Sequence, residues 1–220
     1  MLINLKNISK SYIHKGDNIQ VLKNINLGIE KGEKIAIMGN NGSGKTTLLN
    51  LIGTIDTPDK GEYIFNDKKL SIDQPLKLNK LRRNHFGYIP QGFCLIRDKK
   101  GFYNISLPLL FRGYTKEVIE EKVDEISSTL KIKHLLNKKP DNMSAGERQK
   151  ISIARAMITN PEVILADEMT NTLDKESKNI VLGLIKDSRE LTAIVVTHDI
   201  LIAKKCDRIL YLDDGIIQSS

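Results

Sequence analysis

The sequence predicts an α/β protein with a parallel core sheet, and three observations predict it. The apolar run Ile35-Ala36-Ile37-Met38 leads through a glycine-rich turn into Thr47-Leu48-Leu49-Asn50-Leu51-Ile52, which reads as strand, turn and helix. A second run, Val163-Ile164-Leu165-Ala166, is continuously apolar, as a strand buried on both faces is. A third, Ala193-Ile194-Val195-Val196, follows a helical stretch from Lys175 to Glu190. Strands that alternate with helices build parallel sheets.

The remaining elements follow in chain order. Leu2, Ile3, Leu5 and Ile8 alternate along residues 2–8, and a second alternating run extends from Ile19 to Ile29. Lys15-Gly16-Asp17-Asn18 supplies the turn between them, and Lys31-Gly32 the turn into the strand at Ile35. Gly61-Glu62-Tyr63-Ile64-Phe65 reads as a further short strand. From about Gln91 the period lengthens. Asn104 to Phe111 and Lys116 to Leu130 are helical, the latter with Val118, Ile119, Val123, Ile126 and Leu130 on one face, so that residues 92–160 read as an α-helical insertion. Arg208 to Leu212, Asp213-Asp214-Gly215 and Ile216-Ile217 close the chain as a hairpin.

Composition narrows the class. A chain of 220 residues with 40% hydrophobic content suits one domain, or one core with a small lobe, and excludes disorder. Cys94 and Cys206 lie far apart, make no disulfide framework, and read as buried small hydrophobes in a reducing compartment. No apolar run approaches the roughly 18 residues of a membrane span, and the first residues lack a signal-peptide layout. The expected location is cytoplasmic, with any membrane role exercised through a partner. The net charge of +7 is concentrated: residues 77–139 hold 14 Lys/Arg against 6 Asp/Glu, and the remainder 20 against 21. A solvated helical surface, an anionic membrane face and a nucleic-acid contact all accommodate that excess. His14, His85 and His134 have no ligand-like spacing and read as surface residues.

Three motifs carry chemistry. Gly39-Asn40-Asn41-Gly42-Ser43-Gly44-Lys45-Thr46 is a complete phosphate-binding loop between a strand and a helix, with Thr47 completing the helix entry. Its glycines let the backbone N–H groups wrap an anion at a helix N-terminus. Lys45 would reach the β- and γ-phosphates, and the Thr46 hydroxyl would bind Mg²⁺. Asp167-Glu168 ends the strand at Val163, where ligands bind in open α/β sheets. There Asp167 fits a Mg²⁺-holding acid and Glu168 a general base; a carboxylate pair that only caps the next turn is the other reading. Ser144-Ala145-Gly146-Glu147 is a capping box that opens a helix, and such an N-terminus is also an anion site.

The order of these motifs resembles the ATP-binding cassette (ABC) ATPases over nearly the whole chain. Ser144-Ala145-Gly146-Glu147 is similar to the family's signature, Leu165 to Thr170 to its Walker B strand, and Asn171-Thr172-Leu173-Asp174 to its D-loop. Gln91 stands at the Q-loop position, His198 at that of the switch histidine, and Tyr12 at that of the aromatic that stacks on adenine. The chain departs from the pattern at Ala145 and Glu147, where glycine and glutamine are usual, and at Met169, where proline is.

The resemblance implies a P-loop NTPase spanning 1–220. Its core would be 1–91 and 161–220 with an N-terminal antiparallel β subdomain, and about 92–160 would form the α-helical subdomain. It implies an ATPase using ATP and Mg²⁺ as a head-to-tail homodimer. Tyr12 would meet adenine; Thr46, Gln91 and Asp167 would order the metal; Glu168 would activate water; and His198 would contact the γ-phosphate. Ser144, Ala145, Gly146 and Glu147 would close over the partner's nucleotide, and Asp174 would couple the two sites. The text around Leu107-Pro108-Leu109-Leu110-Phe111-Arg112-Gly113 is similar to the lipoprotein-release and macrolide- or peptide-exporter branch. This implies a separately encoded permease, a peripheral place on the inner face of the membrane, and export or extraction of a peptide, lipoprotein or hydrophobic compound. A regulatory ATPase that relays force to an envelope partner is an alternative. A soluble relative acting on nucleic acid or ribosomes is another, and the chain lacks the long coiled coil, zinc modules or second cassette of that class.

Overall fold

The computed structural model describes residues 1–218. In chain order the elements are β1 (Ile3–His14), β2 (Asp17–Ile29), β3 (Lys34–Met38), α1 (Lys45–Ile52), β4 (Lys60–Phe65), β5 (Lys68–Lys69) and α2 (Pro75–His85). There follow β6 (Phe86–Ile89), α3 (Gly101–Phe111), α4 (Lys116–Thr129), α5 (Ala145–Met157), β7 (Val163–Asp167) and α6 (Lys175–Asp187). The chain closes with β8 (Thr192–Val196), α7 (Ile200–Ala203), β9 (Arg208–Asp213) and β10 (Ile216–Gln218). These elements make two compact units, Met1–Arg82 with the segment from Arg189 onward, and Arg83–Ser188.

In the first unit, β2, β1, β4 and β5 form an antiparallel sheet in that order. The alternation visible to Ile8 breaks off because β1 has register shifts after Leu5, Ile8 and Lys10, which reset the period of two. The strand nevertheless continues to His14. β3 pairs in parallel with β8 on one side and β9 on the other, and β10 folds back antiparallel on β9. Ile35, Ala36, Ile37, Ala193 and Ile194 are wholly buried, as their unbroken apolar runs require. The buried residues Leu48, Leu49, Leu51 and Ile52 give α1 its apolar face.

In the second unit, β6 and β7 pair in parallel from Phe86 opposite Val163 to Ile89 opposite Ala166. Between them run α3, α4 and α5, with two short 3-10 turns at Lys133–Leu135 and Pro140–Asn142. Sequence periodicity misses α2 and β6. The helix buries only Leu78 and so has no apolar stripe to detect, and the strand is four residues long. α3 starts three residues before Asn104, and that asparagine, fully buried, serves the preceding loop instead. Its side chain accepts from Ile96 N at 2.8 Å and donates toward the carbonyls of Ile96, Lys99 and Lys100. α6 ends at Asp187, short of Glu190. The cysteine expectation also needs correction. Cys94 is exposed, because its loop turns outward through two consecutive left-handed residues, Phe93 and Cys94. Cys206 is half-buried, and burial pushes its thiol up to about 11.

Candidate functional site

The site residues expected from the sequence fall into two groups, one in each unit. In the first, the chain leaves β3 at Met38 and enters α1 at Lys45. Gly39 has φ 150°, and a Cβ there would lie 2.0 Å from the Leu212 carbonyl oxygen, so no other residue fits. Gly44 caps α1 in the left-handed conformation with no side-chain cap, so the helix N-terminus is left to an external anion. Lys45 is buried, and its ammonium donates to the carbonyls of Gly39 at 2.9 Å and Asn40 at 2.7 Å, arching over the loop. The Ser43 hydroxyl is buried without a hydrogen-bond partner, while Asn40, Asn41, Gly42 and Thr46 are exposed and Thr47 half-buried.

His198 leaves the C-terminal end of β8, the strand adjacent to β3, so it emerges at the same sheet edge as the phosphate loop. Its turn is tight: Thr197 N donates to Ile37 O, and Asp199 N donates to Thr197 Oγ1 at 3.0 Å. Tyr12, near the end of β1, presents a partly exposed ring and donates its hydroxyl to Asp56.

In the second unit, the parallel pairing of β6 and β7 brings Gln91 to Glu168 across 77 residues of sequence. The Gln91 amide donates to Glu168 Oε2 at 2.9 Å, and the Asn171 amide donates to the same oxygen at 2.7 Å. Glu168 is held at φ 51°, a conformation that costs a residue with a Cβ about 1–2 kcal/mol. Asp167 beside it is buried. The loop that carries Gln91 is pinned by Arg155, whose guanidinium donates to the carbonyls of Cys94 at 2.6 Å and Phe93 at 2.8 Å. No local pattern marks Asn171, Asn104 or Arg155 for these tasks: the sequence places Asn171 only in the D-loop and Asn104 only at a helix start, and gives Arg155 no role.

α5 opens with both halves of the capping box formed. Ser144 Oγ accepts from Glu147 N at 3.2 Å, and Glu147 Oε2 accepts from Ser144 N at 2.7 Å. Glu147 Oε1 lies 3.4 Å from Lys138 and 3.7 Å from His134. The bond from the Ser144 backbone outweighs partial burial and, with Lys138, holds this carboxyl below its ordinary value. The charge that replaces the family's glutamine is thus occupied by its own helix cap. Gly146 lies against the loop after β7, where an added Cβ would stand 2.9 Å from Thr172 O. Ala145 adjoins it half-buried. Met169, in place of proline, is buried. Asp174 caps α6 by accepting from Ser177 N at 2.9 Å and Ser177 Oγ at 2.8 Å. Of the histidines expected at the surface, His14 and His134 are exposed, whereas His85 is half-buried against Glu162 at 2.9 Å.

Known proteins match this chain in sequence and fold. Residues 22–171 fit the family model described as ABC transporter. The chain is 41% identical over 225 residues to an uncharacterized ABC transporter ATP-binding protein, MJ0796, of Methanocaldococcus jannaschii, covering 99% of this chain and 95% of that one. It is 39% identical over 215 residues to the macrolide export ATP-binding/permease protein MacB of Bartonella henselae, covering 97% of this chain but 33% of that protein. The chain therefore spans about a third of the exporter's length. Among solved structures, the dimeric MJ0796 cassette superposes with a TM-score of 0.94 at 37% identity, covering 99% of this chain and 97% of that one. A second, described as a post-hydrolysis state bound to ADP and Pi, superposes equally well.

The chain belongs to the ABC transporter family, in which it is an ATPase cassette of the P-loop NTPase fold. The family's ligands are ATP and Mg²⁺, and the residues present fit both. The uncapped α1 N-terminus and the orphaned Ser43 hydroxyl suit a triphosphate. Among the described residues no cluster of three His, Cys, Asp or Glu is placed to hold a metal. Mg²⁺ needs no such cluster, since one or two side chains and phosphate oxygens bind it. Among those residues, too, no helix is long and apolar enough to cross a membrane.

Proposed function

We propose that the chain is the energy-coupling ATPase of a transporter, working as a head-to-tail homodimer on a separately encoded membrane permease. The export or extraction of a peptide, lipoprotein or hydrophobic compound is its proposed task, and the inner face of the membrane its proposed place. The observation that carries the hydrolytic part is Glu168, set in a left-handed backbone and gripped by Gln91 and Asn171. A carboxylate held this way is oriented before substrate arrives, which is what a general base requires. MacB, a macrolide export ATP-binding/permease protein by name, supports the export reading.

In this reading Lys45, the loop N–H groups of residues 39–44 and the Thr47 turn of α1 hold the triphosphate, and Tyr12 carries the adenine. Thr46, Gln91 and Asp167 would hold Mg²⁺, which when bound would supply positive charge to the triphosphate. Glu168 takes a proton from the attacking water, and His198 keeps that water in line with the γ-phosphorus. Ser144, Ala145, Gly146 and Glu147 present their helix N-terminus to the nucleotide of the other copy, and Asp174 couples the two sites. We also assign 1–91 with 161–220 to the nucleotide-binding core and about 92–160 to the helical subdomain. The latter stretch holds α3, α4 and α5 and no strand.

Steady-state hydrolysis and gel filtration of Glu168→Gln test the mechanism. Turnover should fall at least a hundredfold, on the order expected for loss of a general base, while ATP is retained and the dimer persists. Wild-type turnover by this variant would sink the assignment of Glu168.

A further inference from the structure

Beside the ring assigned to the base lies a charged network that stacking alone does not require, and all of it sits within the first unit. The Tyr12 hydroxyl donates to Asp56 Oδ2 at 2.6 Å. The Asp56 backbone N–H donates to Asn50 O at 3.3 Å, which ties this carboxylate to α1, the helix that follows the phosphate loop. Asp56 belongs to the turn between α1 and β4, and its Oδ1 accepts from Lys10 Nζ at 2.9 Å and from Thr57 N at 2.7 Å. Lys10 Nζ donates as well to Thr57 O at 2.8 Å and stands 3.6 Å from Asp59. The same ammonium lies over the Tyr12 ring, 5.1 Å from its centroid.

Exposure divides this network in two. The Lys10 side chain is 11% exposed and that of Asp56 28%, whereas Tyr12 remains 40% exposed. An aromatic ring stacks on a base through its face, and phenylalanine does so as well as tyrosine. A half-buried Lys–Asp pair, by contrast, costs desolvation that good geometry only partly returns. Here both members also serve the tyrosine: the carboxylate anchors its hydroxyl and the ammonium lies over one ring face, while the ring stays partly exposed. Burial would raise the Asp56 carboxyl, but the bonds from Tyr12, Lys10 and Thr57 outweigh it and hold the group below its ordinary value. Burial and Asp56 both raise the Tyr12 hydroxyl, which keeps it a donor.

We propose that Lys10 and Asp56 are positioning residues for the nucleotide base, fixing the plane of Tyr12 and its spacing from the phosphate loop through the bond from Asp56 N to Asn50 O of α1. The proposal rests on the reading of Tyr12 as the base platform. A base and a triphosphate bound at one set spacing act as a single rigid ligand; a loose ring lets the base bind without helping the phosphates. The network therefore contributes to affinity for ligands that carry both parts and nothing to a bare polyphosphate chain.

The test is equilibrium binding of Mg·ATP and of Mg·tripolyphosphate, which lacks base and sugar. Tyr12→Ala should weaken ATP about tenfold, the value of one good aromatic contact, and leave tripolyphosphate unchanged. Tyr12→Phe and Asp56→Ala should each weaken ATP about three- to fivefold, with the double variant no weaker than either, since both break one linkage. Lys10→Met should behave as Asp56→Ala does. If Asp56→Ala weakens both ligands equally, or if the double variant is additive, the positioning role is overturned while the platform stands. If Tyr12→Ala binds ATP as the wild type does, the platform itself is wrong and the proposal goes with it. Should Asp56→Ala fail to fold, Tyr12→Phe decides, because unchanged ATP affinity in that variant refutes the linkage.

Discussion

Glu147 shows how a residue that breaks a family pattern is absorbed locally. A carboxylate in the first turn of a helix meets the positive end of the helix dipole, and this one also accepts from Ser144 N and faces Lys138. Its folded pKa lies below the ordinary 4.5. The stabilisation is therefore complete above that value and is lost as pH falls through the lower folded one. Glu147→Ala should cost about 0.5–1 kcal/mol at neutral pH, and urea titrations should show the gap from wild type closing in acid. A gap of the same size at every pH would mean that the carboxylate contributes no charge effect. Glu168 is the opposite case, in which unfavourable backbone geometry accompanies a carboxylate held by two side-chain amides.

At the scale of elements, the loop between β6 and α3 is the segment that tertiary bonds shape most. It runs from Gln91 through two left-handed residues and has no apolar pattern to hold it. Arg155 on α5 pins its first half, and Asn104 inside α3 pins its second. Asn104→Ala should cost about 1–3 kcal/mol, because a wholly buried side chain is removed and the half-buried Ile96 N loses its acceptor. Hydrogen exchange should quicken over residues 92–100 and not over α4. A uniform change across the chain would contradict this local role. α5 itself is legible in the sequence, since its capping box and its start lie within four residues of one another. β6 is not, because four residues carry too short a pattern and the partner that defines them, β7, lies more than 70 residues away.

At the scale of the whole molecule, the proposed dimer divides each ATP between the phosphate loop of one copy and the α5 N-terminus of the other. Mixing two inactive variants tests that division. Lys45→Ala disables the loop, and Ser144→Arg disables the signature. A mixed pair brings both defects to one site and leaves the second intact, so ATPase activity should return on mixing. If each variant stays inactive alone and the mixture is inactive too, while still forming dimers, the shared site is wrong.

The sequence by itself determined the features made by neighbours in the chain. The phosphate loop, the Asp167-Glu168 strand end and the Ser144 cap each depend on backbone groups a few residues apart, so glycine positions, apolar runs and one capping pair suffice to mark them. The parallel core was legible for the same reason, because a strand buried on both faces carries its own unbroken apolar run. Only the tertiary structure decided which distant groups meet. Gln91 and Glu168 are brought together by strand register, Tyr12 and Asp56 by the return of the chain from α1 toward β4, and Asn104 is turned from helix former to loop anchor by burial. Hydrogen bonds of this kind depend on angles and distances summed over dozens of residues, and no local pattern in the chain records them.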